Sequence, residues 1–279
     1  MRVARECYEC LRRLIYQAAS LATTDEQVKT RAIEESLKLL SAEFSVDKIS
    51  IVIAARIHDL IKEITGNPDP YLEMKNREVA LARELVEQMA PARRNSFASC
   101  LEFAARGNTL DFFRPLEAIK EEMKCQVDFV IDDSRRFELR LKQADKVLYL
   151  ADNAGELFFD LPLVRWLRRL ARVVYVVKAA PVQDDITLED IKRARLESEL
   201  GEIMTTGTAT PGIDFSQASA QFKCEFETAD LIFAKGMGYY ESLTELPAEG
   251  KVFYCLRAKC QPVADSLKVP LGGYVALLR

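Results

Sequence analysis

Residues 146–156 read Lys146-Val147-Leu148-Tyr149-Leu150-Ala151-Asp152-Asn153-Ala154-Gly155-Glu156. A short, nearly unbroken apolar run gives way to a polar, glycine-bearing turn and then to the amphipathic stretch Leu157 to Leu170. A strand that is apolar on both faces belongs in a sheet covered on both sides, and that is the habit of parallel strands joined by helical crossovers. The alternation repeats downstream, with strands predicted at Val173 to Val177, Glu202 to Met204, Leu231 to Ala234 and Val252 to Leu256. Helices are predicted between them at Leu188 to Leu200 and Phe215 to Phe222. Thr187 followed by Asp190 resembles a capping box in which Asp replaces the preferred Glu or Gln.

Upstream the period changes. From Cys7 to about Ala105 the apolar residues recur at three and four, as in Leu11, Leu14, Ile15, Ala18, Ala19 and Ala22, which is the helical spacing. Helices are predicted over Cys7 to Leu21, Asp25 to Ser41, Asp47 to Thr65, Tyr71 to Met89 and Arg93 to Ala105. Thr24-Asp25 supplies a start, and Gly66-Asn67-Pro68 with Asp69-Pro70 supplies a stop and turn. The chain thus divides into a helical domain, 1–137, and an α/β domain, 138–279.

Bulk properties narrow the function. A chain of 279 residues with 49% hydrophobic content can bury a large core, and its formal net charge is -4. Basic and acidic residues are mixed along it, so the basic face needed for phosphate-backbone binding is missing and nucleic acid is excluded as a partner. Seven cysteines, an odd number in a long chain, do not resemble a secreted disulfide framework. No apolar run approaches membrane-spanning length, and Met1 to Cys10 lacks the apolar core of a signal peptide. The protein is expected to be soluble, off the membrane and cytoplasmic.

Each predicted strand ends in polar or glycine-bearing sequence: Ala151-Asp152-Asn153, then Lys178 with Gln183-Asp184-Asp185, then Thr205-Thr206-Gly207-Thr208. Lys235-Gly236-Met237-Gly238 and Arg257-Ala258-Lys259 complete the series. Open parallel sheets bind ligands beyond the carboxyl ends of their strands, so these ends form one rim. Asp152, Asn153 and Asp185 offer two carboxylates and an amide oxygen, a hard donor set suited to Mg²⁺, Mn²⁺ or a similar octahedral ion. Such an ion polarises a phosphoryl oxygen and lowers the pKa of bound water. Asp152-Asn153 is equally a good cap for the helix beginning near Gly155. Lys259 is a candidate phosphate clamp, with Arg257 on the same side if the strand continues; a solvated positive loop is the plainer reading of either.

Other features carry less. Gly207 to Gly212 and Gly236-Met237-Gly238 could present backbone N–H groups to an anion. The sequence has neither a Walker-type phosphate loop nor a complete dinucleotide fingerprint. Cys7 and Cys10 are half of a zinc or redox signature whose remote partners would be Cys100 or Cys125; two buried, helix-spaced thiols are the favoured alternative. The only histidine, His58, falls inside a predicted helix and is read as structural, which leaves a Ser-His-Asp mechanism unstaffed.

Taken in order, Cys7-x-x-Cys10, Asp69-Pro70-Tyr71 with Lys75, Gly107-Asn108-x-x-Asp111, Asp152-Asn153-Ala154-Gly155-Glu156, Asp184-Asp185-x-Thr187, Lys235-Gly236-x-Gly238-x-Tyr240-Glu241-Ser242-Leu243 and Arg257-Ala258-Lys259-Cys260 resemble the metal-dependent damage-control phosphatases, once catalogued as domain of unknown function 89. The Cys-x-x-Cys element is similar to that of the archaeal and bacterial branch. The resemblance implies an N-terminal helical bundle packed on a three-layer α/β/α sandwich with a mainly parallel, Rossmann-like sheet. It implies hydrolysis of phosphate monoesters of small metabolites, sugar phosphates or related damaged compounds, supported by Mn²⁺, Co²⁺, Ni²⁺ or Mg²⁺. Carried over by position, Asp152, Asn153 and Asp185 hold the metal, Asp152, Asn153 and Lys259 are catalytic, and Lys259 holds the phosphate. Asn108, Asp111, Gly236, Gly238 and Glu241 bind substrate with it. A Gly-Asn helix ending accounts for Asn108 equally well.

Two departures from the family pattern stand out. Tyr239 occupies a usual Asn position, which removes an expected polar contact and bears on substrate preference. Asp184 replaces a usual Asn, which adds negative charge beside the metal. The rivals to a phosphatase are an S-adenosylmethionine-dependent carboxyl methyltransferase, from the acidic, glycine-bearing turn after Leu150, and a non-enzymatic metabolite-binding module.

Overall fold

The computed structural model describes residues 1–89, 96–110, 116–247 and 249–279. Three helices lead: α1 (Arg5–Ala22), α2 (Glu26–Glu43) and α3 (Ser50–Thr65). Asp25 starts α2 by accepting from the backbone N–H groups of Gln27 and Val28, and Gly66 ends α3 in the left-handed conformation, φ 68. Their apolar stripes close on a shared core that includes Leu11, Ile15, Leu40, Ile53, Ile57 and Ile61. Helices α4 (Leu72–Gln88), α5 (Phe97–Gly107) and α6 (Leu116–Lys124) follow. The capping box of α5 places its start at Ser96, where the Ser99 N–H finds the Ser96 hydroxyl. The first three positions of the helix predicted from Arg93 lie outside the described residues.

The remainder is β1 (Phe129–Asp132), α7 (Ser134–Leu141), β2 (Lys146–Leu150), a 3-10 turn (Ala154–Glu156), α8 (Leu157–Leu167), β3 (Arg172–Val177), α9 (Leu188–Ala194), α10 (Glu197–Leu200), β4 (Glu202–Thr205), α11 (Ala220–Thr228), β5 (Leu231–Lys235), α12 (Gly236–Leu243), β6 (Val252–Arg257), α13 (Gln261–Leu267) and β7 (Tyr274–Leu278). The strands form one sheet ordered β1-β7-β6-β5-β2-β3-β4. Strands β2 to β6 are mutually parallel, while β7 is antiparallel to β6 and β1 parallel to β7. The apolar runs are continuous because alternate residues serve opposite layers. Val147 and Tyr149 pack with α5, α7 and α8, whereas Leu148 and Leu150 pack with α11, α12 and α13. This is the α/β/α sandwich.

Several expectations are corrected. The 137/138 division falls inside α7, and β1, upstream of it, is already part of the sheet: helical spacing ends well before the proposed boundary. Strands β1 and β7 and helices α6, α7, α12 and α13 were not among the predicted elements. The helix expected over Phe215 to Phe222 begins instead at Ala220, because Ser219 caps the Phe222 N–H while Asp214 turns the preceding chain by accepting from the Ser216 N–H. The single helix expected from Leu188 to Leu200 is broken at Arg195, which takes φ 58. The Thr187–Asp190 capping box is present.

Candidate active site

The sheet changes direction at β2. From it the chain steps outward through β3 and β4, then returns to lay β5 and β6 on the other side. A crevice opens where two adjacent parallel strands send their continuations to opposite faces. Asp152 leaves β2 there, and Gly236 leaves β5 beside it.

The two chain segments carrying the acidic residues are laced by backbone hydrogen bonds. The Ala154 N–H donates to the Asp184 carbonyl at 2.8 Å, and the Ile186 N–H donates to the Asp152 carbonyl at 2.9 Å. An antiparallel bridge pairs Asn153 with Asp185. Residues more than thirty apart in sequence are thereby fixed as neighbours, and the side chain of Asn153 is not used as a helix cap among the described residues. The capping alternative for Asp152-Asn153 is therefore not the arrangement found.

Electrostatics single out this cluster. Burial pushes the Asp152 carboxyl well above its ordinary range; Glu156 and Asp185 push it further, and Lys259 opposes them. Burial likewise pushes Asp185 up to about 7, against the pull of Lys178 and with Asp184 adding to the rise. Asp185 Oδ2 is buried and receives no hydrogen bond from a described residue; its neighbour is the Lys178 ammonium at 3.4 Å. A buried carboxylate that shares one ammonium and has the Asp152 and Asp184 carboxylates as repelling neighbours is what a divalent cation would further neutralise. No group of three or more His, Cys, Asp and Glu side chains is arranged to hold an ion by itself among the described residues. The residues present fit a cation only as two carboxylates completed by the Asn153 amide oxygen and water.

A cavity of about 340 Å³ lies over the cluster, lined on the sheet side by Asp152, Asn153, Asp184, Asp185, Gly212, Gly238 and Lys259 and on the other by residues of α1, α3 and α4. Asn108 and Glu241 also line it. Asn108 closes α5 with a right-handed conformation, φ -64, so the Gly-Asn ending is not the left-handed type. Its amide donates to the buried Glu156 carboxylate and its oxygen accepts from the Arg257 N–H at 3.3 Å. Glu241 accepts from the Ser50 hydroxyl, and burial raises its carboxyl. Asp111 lies outside the described residues.

Gly236 sits beneath Asp152 and is not part of the cavity wall. With φ +77, a Cβ added at Gly236 would fall inside the Asp152 carboxylate. Gly236→Ala is expected to lose about 1–2 kcal/mol of stability to left-handed strain and, by displacing Asp152, about 10–100-fold in kcat/KM. Thermal unfolding alongside steady-state kinetics checks both, and wild-type turnover in this variant would show that Asp152 needs no such clearance.

Arg257 turns away from the rim. Its guanidinium pairs with Glu122 at 2.5 Å, donates to the Gly272 carbonyl and lies over the Tyr274 ring. Tyr239 is fully buried, with the Lys178 ammonium 4.0 Å from its ring centroid. A cation–π contact thus stands where the family pattern has Asn. Cys10 is exposed and lines the cavity, while Cys7 is half-buried, so the pair is not the buried one expected. His58 is sealed in the helical core, with burial holding its imidazole down to about 3.

Sequence reasoning missed the buried charges behind the rim. Lys178 donates to the Gly212 carbonyl. Lys235 lies 2.5 Å from Glu156 and 2.9 Å from Asp160. Lys75, beneath the helical domain, bridges Asp69 at 2.8 Å and Asp190 at 3.3 Å. Lys178 and Lys235 both end apolar strand runs, which is the signal that could have exposed them.

The damage-control phosphatase ARMT1-like domain matches residues 3–275. The chain belongs to this family. A damage-control phosphatase of Pyrococcus horikoshii is 34% identical, covering 99% of this chain and 98% of its own. One from Archaeoglobus fulgidus is 33% identical with 99% of each covered. The crystal structure of a DUF89 family protein from Pyrococcus horikoshii superposes with a TM-score of 0.91 at 32% identity, covering 100% of this chain and 99% of that one. The chain is accordingly a damage-control phosphatase, and the hydrolase expectation holds. The methyltransferase alternative finds no support among these relatives, which are named as phosphatases. No helix among the described residues is long and apolar enough to cross a membrane.

Proposed function

We propose that this phosphatase is a metal-dependent phosphomonoesterase of small phosphorylated metabolites, with sugar phosphates and related damaged compounds as the class to test first. Asp152, Asn153 and Asp185 would hold the ion, and Lys259 the phosphate. The observation that carries the reading is the pair of buried, mutually repelling carboxylates Asp152 and Asp185 at the switch point, with Lys259 as the cation that acts on Asp152. When bound, a divalent ion (Mn²⁺, Co²⁺, Ni²⁺ or Mg²⁺) supplies charge neutralisation and polarisation of a phosphoryl oxygen. The rest falls to the chain. Lys259, exposed at the cavity edge, presents a compact ammonium to the non-ester oxygens. Asp152 is the carboxylate from which attack on phosphorus starts, as nucleophile or by orienting water. The one imidazole is sealed away and neutral, so proton transfer falls to carboxylates. All seven cysteines are free, and we place the enzyme in the cytoplasm, where thiols stay reduced.

Chelator-treated protein is expected to lose hydrolysis of p-nitrophenyl phosphate and to regain it with at least one of the four ions; no recovery with any of them defeats the reading. Because Asp185 holds its proton up to about 7, an incoming cation must displace that proton at lower pH. Ion affinity is therefore expected to fall about tenfold from pH 8 to pH 6. Calorimetric titration in buffers of different ionisation enthalpy counts the protons released, and an affinity flat between pH 6 and pH 8 contradicts the assignment of Asp185.

A further inference from the structure

Three thiols gather where the helical domain meets the rim. Cys7 and Cys10 lie one turn apart on α1, and Cys260 stands at the start of α13, directly after Lys259. Helix α1 packs on α13, and Cys10, Glu241 and Lys259 line the same cavity. Burial raises all three thiols, and the Glu241 carboxylate adds to the rise in each, so it stands among them. The phosphatase chemistry uses none of these sulfurs.

The helix decides which two can join. Side chains one turn apart on a helix hold their Cβ atoms about 5–6 Å apart, whereas a disulfide needs about 3.5–4.5 Å. Closing Cys7 on Cys10 would unwind the start of α1, where the Cys7 sulfur already accepts the Ala4 N–H at 3.4 Å. Cys260 is under no such constraint, since its backbone is extended, φ -134 and ψ 155. Of the two α1 thiols, Cys10 acts on it more strongly than Cys7. Cys10 is also the exposed one, and the Arg13 guanidinium favours its thiolate against the effect of burial. The thiolate is the nucleophile in disulfide exchange, so Cys10 attacks first and Cys260 resolves.

We propose that Cys10 and Cys260 are a redox pair at the edge of the active site, joined by exchange with a small-molecule disulfide such as oxidised glutathione and parted again by thiols. The Cys10 thiolate attacks one sulfur of oxidised glutathione, forming a mixed disulfide and expelling a glutathione thiolate. The Cys260 thiolate then attacks the Cys10 sulfur and expels the second. Two protein thiols become one disulfide, oxidised glutathione becomes two thiols, and the two protons pass to the expelled thiolates. In a reducing cytoplasm such bonds are transient and redox-sensing. The bond ties the start of α13 to α1 and draws with it Lys259, whose N–H donates to the Met237 sulfur at 3.3 Å. The loss of turnover that follows rests on Lys259 as the phosphate clamp; formation of the bond does not.

The test exposes the full chain to oxidised glutathione, removes the reagent and maps its peptides without reduction. Cys10 and Cys260 are expected in one linked peptide, with kcat/KM for p-nitrophenyl phosphate lowered at least about tenfold and restored by dithiothreitol. Cys260→Ser should stop at the mixed disulfide, with glutathione on the Cys10 peptide. Cys10→Ser, checked for folding by thermal unfolding, should lose less than about twofold of its own reduced turnover under the same treatment. A bond between Cys7 and Cys10, no linked peptide, or a linked protein with unchanged turnover overturns the inference and leaves the phosphatase reading intact. If the reduced protein hydrolyses no ester, the phosphatase reading fails. The effect is then read from calorimetric binding of inorganic phosphate, expected to weaken at least about tenfold on oxidation, and unchanged binding is decisive against the pair.

Discussion

Asp152→Asn is expected to cut kcat/KM by about a thousandfold or more and, in the metal-free protein, to raise the melting temperature. The two effects have one cause. The wild-type carboxylate is desolvated and faces Glu156 and Asp185, with Lys259 as its counterweight. Its folded pKa is raised, so between the ordinary carboxylate value near 4 and the folded one, the native chain holds a proton that the unfolded chain releases. The unfolded state binds fewer protons there, and stability falls as pH rises through that window. Asparagine has no proton to lose. The variant's advantage should therefore be small at pH 5 and should grow towards pH 8, reaching about 2 °C for each kcal/mol relieved. Adding the activating ion should reverse the order, because the ion stabilises only the protein that binds it. Melting curves at pH 5 and pH 8, with and without the ion, together with turnover measurements, check the whole pattern. A variant that keeps wild-type turnover, or a metal-free wild type that outlasts it at pH 8, would remove Asp152 from the centre of the site.

The parts of this architecture that could be read from sequence are those whose physics is local or periodic. Strands β2 to β6 announce themselves because a strand buried on both faces must be apolar throughout, and their polar ends mark the rim for the same reason. Burial on alternate faces also explains the failure at Arg257. Cys255 belongs to the α5–α7–α8 side, so Arg257, two residues on, follows it towards Glu122 and away from the cavity. Lys259 reaches the cavity only because the chain has left the strand by then. Edge strand β1, half-buried in alternation, and β7, preceded by Gly272-Gly273, gave no such run. Helix α12 contains Gly236 and Gly238, which count against helix by propensity and are required by close approach to Asp152 and to Gly212. Tertiary contact overrides the local preference there.

The buried lysines were illegible for a different reason. A lysine in sequence reads as surface, and only the fold shows that Lys75, Lys178 and Lys235 are each fully enclosed with carboxylates. Lys178 and Lys235 lie at the ends of the two strands that flank β2, yet they point to opposite layers, one beneath Tyr239, the other to Asp160 on α8. The domain division at 137/138 suffered similarly. Helical spacing fades before β1, but α5 is helical by sequence and belongs by packing to the sheet's own core through Phe97, Cys100 and Leu101. The strand-end pattern already places Asn153 and Asp185 on one rim, but the antiparallel bridge through which they meet has no periodic signature.

Lys235→Met is expected to produce the largest loss of stability of any single change here. Lys235 is fully buried at the end of β5, and its ammonium touches the Glu156 and Asp160 carboxylates and donates to the Ala104 carbonyl at 2.7 Å. Removing the cation leaves two carboxylates in the interior without compensation, a change that costs about 3–5 kcal/mol. Asp160, already pushed up to about 6 by burial even beside this lysine, would take up a proton at neutral pH, which softens the loss without cancelling it. Chemical denaturation should show the midpoint displaced with an unchanged slope, as expected for a native-state defect. Activity should fall too, because Glu156 is also held by Asn108 and lies against Asp152. The companion variant Lys235→Met with Glu156→Gln and Asp160→Asn removes all three charges together. It should recover most of the stability but not the turnover, since well-packed neutral groups replace a buried ion set at little cost. If Lys235→Met alone unfolds within about 1 kcal/mol of wild type, the buried cation is not what holds the floor of the site together.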